Sequence, residues 1–457
     1  MSDHAHSHTH SHAHSPFTER TSLGEARSIL RGAVERHGRS TDVSLPEADG
    51  RTIAERITAP RNVPHYPRAA MDGYAVRAAD TFGAGDRSPR TLAETAGGIG
   101  PGECRQVHTG SELPEGADAV VMVEHVEAAG DGIEVFRAVG EGENVGPVGE
   151  DVERGQDLYE PGHRLRPSDL GLCKSVGLTA VTVWERPRVA VIPTGEELVQ
   201  SDPAPGEIIE TNGLTVSRLA RRWGADTTYH DVVTDDETAL ARAIQDSLEA
   251  DIIVTTGGSS VGARDLLPDV VADLGEVLVH GVGIKPGHPV AIGVVEGTPM
   301  LLLPGYPVSC LINAVQFLRP AVAWLEGRQP ETIPTVRARL EEKIYSEPGL
   351  RSFARVQLEG RSDAEGVPNA KEPPTAEDVP NAAERPAPGE DSKDEGIPET
   401  EGAEANRPPY VATAVRASGA GVLSSVGRSD GWVVVPEESE GLPAGETVTV
   451  EFWEGWP

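Results

Sequence analysis

RVAVIPTGEELVQSDPAPGEIIETNGLTVSRLARRWGADTTYHDVVTDDETALARAIQDSLEADIIVTTGGSSVGARD, residues 188–265, decides the fold. It opens on the apolar run RVAVIPT, passes the helical pattern LTVSRLARRWG, the strand-like TTYHDVV and the helical ETALARAIQDSLEA, and ends on DIIVTTGG. Strands and helices alternating at this spacing predict βαβ units, a parallel sheet and helices on both of its faces. Right-handed crossovers then gather the loops at the carboxyl ends of the strands on one rim, where such sheets bind ligands.

Three turns on that rim suit an anion. TTGGSSVGARD, Thr255 to Asp265, carries Gly257, Gly258 and Gly262, which let backbone approach a ligand closely, and it runs into a helical pattern whose N-terminus favours phosphate. The glycines also suit plain structural turns, and neither a GK[ST] closure nor a GxGxxG is present to name a Walker or dinucleotide loop. IKPGHPVAIG, Ile284 to Gly293, places Lys285 beside a Pro-Gly turn, and LPGYPVSC, Leu303 to Cys310, sets Ser309 near a helix start. Glu197, Asp235, Asp236 and Asp265 crowd the same loops. Carboxylates beside phosphates make sense when Mg²⁺ bridges them, although Asp236 equally suits the N-cap of the next helix.

Outward from this core, SLGEARSILRGAVERH between Thr21 and His37 reads as one amphipathic helix with Leu23, Ala26, Ile29, Leu30, Ala33 and Val34 on a face. The next hundred residues read as short strands broken by Gly and Pro, including ADAVVMVEHV and GIEVFRAV. RPSDLGLCKSVGL predicts a helix preceded by Pro167 and Ser168 and closed by Gly177. Beyond Pro330, the runs VRARLEEKI, FARVQLEG, YVATAVRAS, GWVVVPEE and ETVTVEFW suggest a small barrel. A Pro-, Glu- and Ala-rich stretch at 360–409 has too little apolar surface to offset ordering entropy and reads as a disordered acidic insertion in a barrel loop. The histidines of residues 1–15 form a low-complexity tail, suited to divalent metal or simply solvated.

The chain of 457 residues carries 73 Asp+Glu against 40 Lys+Arg, a formal charge of −33. Acidity spread over the surface repels nucleic acid and anionic membranes, and scarce lysine with abundant carboxylate suits a halophilic cytoplasm. An acidic protein from a GC-rich genome reads the same way. No apolar run is seen to approach the about 18 residues a membrane span needs, so a cytoplasmic protein is expected. Cys104, Cys173 and Cys310 stand far apart, without zinc or disulfide spacing.

The motifs AAMDGYAVR, TGSELPEGADAVV, GEDV, PTGEEL, TTGGSSVGARD, IKPGHP and LPGYPVS, in this order, closely resemble the molybdopterin molybdotransferase family of molybdenum cofactor biosynthesis, which includes the C-terminal domain of gephyrin. The resemblance covers the chain from about Leu23 to Trp456 and points to the halophilic archaeal type. It implies a multidomain α/β plus β protein: a His-rich tail (1–17), a discontinuous linking domain (18–50 and 148–186), an inserted β-rich domain (51–147), a three-layer molybdopterin-binding α/β domain (187–328) and a C-terminal β-barrel domain (329–457). It implies a homodimer whose cleft is shared between subunits, and the insertion of molybdate or tungstate into adenylylated molybdopterin with Mg²⁺-assisted release of AMP. A transient contact with the adenylyltransferase of the same pathway is part of the same expectation.

By motif, the cleft residues are Asp72, Thr109, Asp151, Glu197, Asp235 and Asp265, with Glu197, Asp235 and Asp265 as metal ligands. Gly257, Gly258, Ser259, Gly262, Lys285, His288, Pro304, Gly305, Ser309, Arg355 and Ser418 form the substrate- and phosphate-binding set. From the residues alone, the motifs holding Asp72, Thr109 and Asp151 read as turns and caps. The chain departs from the family pattern at Pro67, in place of a carboxylate, at Tyr306, in place of an asparagine, and at Gly281 and His288, in place of lysines, which leaves fewer fixed cations near the phosphate and lets His288 strengthen anion binding at low pH. A molybdopterin adenylyltransferase, which shares the α/β domain, and a non-catalytic carrier or scaffold are the alternative readings. The flanking β domains weigh against the first and the carboxylate set against the second.

Overall fold

The computed structural model describes residues 20–257, 266–360, 408–415 and 421–455. The expected His-rich tail, Gly258, Ser259, Gly262, Asp265, Ser418 and nearly all of the acidic insertion lie outside the described residues. The chain divides into a smaller unit, Gly38–Glu185, and a larger one made of the residues up to His37 together with those from Arg186 onward.

The larger unit begins with α1 (Leu23–Ala33), whose N-cap Ser22 accepts the amide of Glu25 and whose buried face carries Leu23, Ala26 and Leu30. The α/β sheet follows: β1 (Arg188–Pro193), α2 (Asn212–Trp223), β2 (Asp226–Tyr229), α3 (Glu237–Gln245), β3 (Ile252–Thr256), α4 (Leu267–Leu274), β4 (Gly275–His280), β5 (Ile284–Lys285), β6 (Ala291–Val295) and β7 (Thr298–Leu303). Six of these strands make one sheet in the order β2-β1-β3-β7-β6-β4. Val189, Val191, Ile252, Val254, Leu301 and Leu303 face one core with α1 and α2. Ala190, Ile192, Ile253, Met300 and Leu302 face the other with α3 and α4. The continuous apolar runs arise because both faces are covered, and successive residues alternate between two cores.

The sheet departs from the all-parallel reading at one edge. β2, β1, β3 and β7 run parallel, whereas β6 and β4 run antiparallel to their neighbours. The cause is local: Glu296 and Gly297, both at positive φ, form a two-residue turn between β6 and β7, and such a turn can join only antiparallel strands. After β7, α5 (Pro307–Asn313), a π-helical turn (Ala314–Leu318) and α6 (Arg319–Leu325) form one continuous helical run. This corrects the expectation that no apolar run reaches spanning length: Pro307–Leu325 is 19 residues long and apolar enough to cross a membrane, and 89% of its apolar window is buried inside the unit. Scattered Asn313, Gln316 and Arg319 hide the run from a reading by eye, and its covered surface is what a core helix requires.

Five strands then close a barrel: β8 (Thr335–Leu340), β9 (Arg351–Gly360), β10 (Tyr410–Ala414), β11 (Gly431–Val435) and β12 (Thr447–Glu451). They pair in the circuit β9-β10-β8-β12-β11 and back to β9, leaving no free edge in the ring. Ala338, Leu340, Val356, Leu358, Ala412, Val433 and Val450 fill its interior. The short strand β5 pairs in parallel with the start of β9, setting Ile284 opposite Arg351 and Lys285 opposite Ser352.

The smaller unit holds a six-stranded, mostly antiparallel sheet, with Gly73–Val76 central between Ala119–Met122 and Glu103–Val107. Its second core packs a helix, Pro167–Ser175, near the antiparallel pair Ser40–Ser44 and Ala180–Trp184. Pro167 is the first residue of that helix instead of preceding it, the position where its missing N–H costs nothing. Asp169, 3% exposed, accepts hydrogen bonds from Tyr159 Oη (3.1 Å), from Arg166 Nη2 (3.1 Å) and from the Arg166 amide (2.9 Å), and meets His163 Nε2 at 2.8 Å.

Candidate active site

The rim of the α/β sheet is built from three adjacent parallel strand ends. β1 runs into Thr194-Gly195, β3 into Gly257 and β7 into Pro304-Gly305. The amide of Gly257 donates to the carbonyl of Leu303 (3.0 Å), and Gly257 sits at φ +125°. A Cβ there would meet the carbonyl oxygen of Thr194 at 2.1 Å, so only glycine fits. Gly305 approaches Gly257 so closely that an added Cβ would lie 3.6 Å from its Cα. Asn212 Nδ2 donates to the Gly305 carbonyl (2.7 Å) and ties this turn to the start of α2. The hydroxyls of Thr194, Thr255 and Thr256 are buried there without a hydrogen-bond partner among the described residues. Buried polar atoms of this kind are uncommon unless a ligand or solvent completes them.

Glu197 and Asp235 stand near one another beside these strand ends. Burial pushes the Asp235 carboxyl above its ordinary range and the charge of Glu197 pushes it further, while the Glu196 amide partly offsets both. Glu197 overhangs Gly195, where an added Cβ would lie 3.1 Å from the carboxylate. Among the described residues no group of three His, Cys, Asp or Glu side chains is arranged to hold a metal, and the third expected ligand, Asp265, is not described. Asp236 serves the helix that follows it, because its carboxylate accepts the Ala239 amide (2.9 Å) as the N-cap of α3.

A cavity of about 560 Å³ brings together Lys285, His288, Pro304, Ser309 and Arg355, five residues singled out from sequence. Pairing of β5 with β9 explains how Lys285 and Arg355 meet across 70 residues of chain. Arg355 is the notable member. Its Nε is buried without a hydrogen-bond partner, no carboxylate among the described residues pairs with it, and burial holds its pKa below the ordinary guanidinium value. Lys285 is less available than the sequence suggests, because its Nζ is paired at 3.0 Å with Glu347. His288 is held below the ordinary imidazole value by burial and then by Arg20 and Lys285, against Glu347. Ser309 is buried, two residues inside the first turn of α5.

Sequence reading missed Asn313 and Glu347. Asn313 Nδ2 donates to the carbonyls of Gly287 (2.9 Å) and Ser309 (2.9 Å), fastening the Lys285 turn to α5. Gly287, at φ +116°, leaves room for it: an added Cβ would meet Asn313 Nδ2 at 2.4 Å. A fully buried amide in the apolar run SCLINAVQF was the available signal. Nothing local announces Glu347, since its link to Lys285 spans 62 residues.

In the smaller unit, Asp72 and Thr109 form one constellation. Asp72 accepts both the amide (2.6 Å) and the hydroxyl (2.9 Å) of Thr109, and these bonds hold its carboxyl below the ordinary range. Both residues are exposed, as is Asp151, whose amide donates to the Val63 carbonyl (3.0 Å).

Comparison with known proteins agrees with this architecture. Residues 21–177 match the MoeA N-terminal region (domain I and II), residues 190–324 the "Probable molybdopterin binding domain", and residues 404–453 the MoeA C-terminal region (domain IV). A protein of Methanocaldococcus jannaschii named for molybdopterin biosynthesis is 33% identical over 421 residues, covering 90% of this chain and 91% of its own. The molybdopterin molybdenumtransferase of Haemophilus influenzae is 33% identical, over 76% of this chain and 89% of its own. The crystal structure of a MoeA molybdopterin biosynthesis protein of Pyrococcus horikoshii superposes with a TM-score of 0.75 at 31% identity, over 96% of this chain and 100% of that one.

Proposed function

Since the chain belongs to the MoeA family of molybdopterin molybdenumtransferases, we propose that it inserts molybdate or tungstate into adenylylated molybdopterin with Mg²⁺-assisted release of AMP. Its enzyme class, a transferase of molybdenum cofactor biosynthesis, comes with the family. The observation that carries the specific reading is Arg355, a half-buried residue in the wall of the cavity that Lys285 and His288 share, whose Nε is buried without a hydrogen-bond partner and which has no acidic partner among the described residues. A buried cation without a counterion is costly, and an anionic substrate supplies the missing charge.

The chain's own groups divide the work. Arg355 binds and orients an oxyanion through its free Nε–H, and Lys285 adds a second charge by exchanging Glu347 for it. The hydroxyls of Thr194, Thr255 and Thr256 are spare donors at the strand ends, where phosphate oxygens of the adenylylated substrate lie in this reading. Glu197 and Asp235 fit a hard cation: two carboxylates near one another, with Asp235 half-buried and kept from ionising easily until positive charge arrives. With Asp265 they would hold Mg²⁺, which supplies neutralisation of phosphoryl charge when bound. Asp72, Thr109 and Asp151 complete the site in the shared cleft of a homodimer, on this reading. The high acidic charge suits a cytoplasm rich in salt, of the halophilic type, and the adenylyltransferase that supplies the substrate is the expected transient partner.

The test is AMP release from adenylylated molybdopterin by the full chain in high-salt buffer, with and without Mg²⁺, titrating molybdate against tungstate. Release that requires both cation and oxyanion is expected. Tight binding of the substrate by folded protein with no AMP released would replace the reading with a carrier role.

A further inference from the structure

Outside that site, one cavity gathers positive charge in a chain whose net charge is −33. It measures about 410 Å³, within the roughly 300–1,000 Å³ typical of small-molecule pockets. Arg27 of α1, Arg319 at the start of α6 and Arg351 at the start of β9 line it, and among the described residues Glu451 is the one carboxylate in its wall. Among the described residues only Phe353 is shared with the Lys285 and Arg355 cavity.

Arg27 and Arg319 are held by uncharged acceptors, whereas Arg351 is neutralised by a carboxylate. Arg27 donates through Nε to the main-chain carbonyl of Gln316 (2.9 Å) and through Nη2 to its side-chain oxygen, both uncharged acceptors. Gln316 is 4% exposed, so this anchor is rigid. Arg319 donates through Nη2 to the carbonyl oxygen of Glu331, and burial lowers its pKa against the charges of Glu331 and Glu451. Arg351 is paired with Glu437 at 2.8 Å. Glu451 already accepts Trp432 Nε1–H at 2.7 Å. Burial lowers the pKa of Arg27, and Arg351 and Arg319 lower it again against the pull of Glu451. Like charges packed this closely repel, and a guanidinium carries five N–H groups, more than the bonds just named employ. Apart from Gln316 and Thr332, the rest of the described wall is apolar, with Leu23, Val315, Trp324 and Phe353 among it.

We propose that this cavity is a second binding site, for a small organic oxyanion, carboxylate or phosphate, borne on an apolar or aromatic body. The head group bridges Arg27 and Arg319, where fork-shaped donors suit a planar or tetrahedral oxyanion. The body lies against Trp324 and Phe353.

Phenyl phosphate is the probe, titrated calorimetrically into the full chain at low ionic strength, with benzoate and inorganic phosphate in parallel. One phenyl phosphate or one benzoate per chain is expected, the better of the two ranking the head group, and inorganic phosphate at least tenfold weaker for want of a body. Binding should survive in a Lys285→Met, Arg355→Met chain, which separates this cavity from the proposed active site. Arg319→Gln and Arg27→Gln should each weaken it at least tenfold. Thermal unfolding identifies a variant that fails to fold, and in that event the other variant and quenching of Trp324 fluorescence, absent in Trp324→Phe, carry the test. Affinity unchanged in a folded Arg27→Gln or Arg319→Gln chain, or binding lost in the Lys285→Met, Arg355→Met chain, would overturn the proposal.

Discussion

Burial acts on the carboxyls of both Asp169, buried in the smaller unit, and Asp235, half-buried in the larger, yet they move in opposite directions. Burial pushes Asp169 up, but the hydrogen bonds from Arg166, His163 and Tyr159 outweigh it and hold the group far below the ordinary range. Asp235 has burial and the charge of Glu197 acting in the same sense, with one amide against them. The contrast separates two uses of one side chain. A carboxylate surrounded by donors is finished and holds structure together, whereas one set beside another carboxylate is incomplete until a cation arrives.

The strongest way to break this contrast is Asp235→Asn. AMP release should fall about 1,000-fold, equivalent to roughly 4 kcal/mol of barrier, while the unfolding free energy stays the same or rises. Denaturant unfolding measured beside AMP release checks both halves. A stability loss as large as the activity loss would make Asp235 structural after all.

Arg355→Met comes next, with AMP release down about 100-fold and stability unchanged or improved, because a half-buried cation whose Nε lacks a partner is replaced by an apolar chain of similar reach. Retention of full activity in this variant would remove the observation on which the proposed reaction rests.

Asp169→Ala should do the reverse, costing about 2–3 kcal/mol of stability in the smaller unit. The figure is kept below that of a fully buried pair because the Arg166 side chain is 70% exposed. The pH dependences oppose each other as well. Asp169, with its folded pKa depressed, contributes stability that is complete above the ordinary carboxylate value and is lost as pH falls below it. Asp235, with its folded pKa raised, favours the protonated fold, so its contribution improves as pH falls through the raised value. Acid titration of the two single variants against the parent, followed by unfolding, resolves the two slopes.

His288 gives a smaller effect. Its folded pKa is lowered, so the neutral ring is favoured and stability from this group declines as pH falls through about 6.5, the ordinary imidazole value, toward the folded one. Oxyanion affinity should therefore rise a few-fold only on the acid side of pH 6.5, and His288→Ala should flatten that rise. Smallest of all, Asn212→Ala should cost about 1 kcal/mol and raise KM more than it lowers kcat, because it frees the Gly305 turn without removing a charge.

Much of this molecule was legible in the order of its residues. The apolar runs of β1, β3 and β7 and their βα spacing announce a sheet covered on both faces, and the run of short β-like segments beyond Pro330 announces the barrel. The antiparallel edge of the sheet was not legible, because a two-residue turn at Glu296-Gly297 looks like any loop until its φ angles are known. Asp72 caps no helix among the described residues; its carboxylate instead reaches Thr109, 37 positions on. Those bonds say nothing of any further role. What sequence could not supply were the long-range relations: Glu347 for Lys285, Asn313 for the Gly287 turn, and the buried Nε of Arg355 left without an acceptor. These depend on which distant strands register together, a property of packing and not of motif.

The closed barrel has one more consequence. Its strands β9 and β10 are antiparallel neighbours, and Gly360 and Tyr410 face each other in register. The ring is therefore complete at the two points where the 49 intervening residues leave and return, and adding residues between such ends costs little, about 0.6 kcal/mol for each doubling of loop length. Evolution can thus treat this junction as a docking port for foreign sequence, lengthening, trimming or exchanging the passenger while the host remains intact. A protein engineer could use the same port to graft a reporter or an affinity handle onto the enzyme.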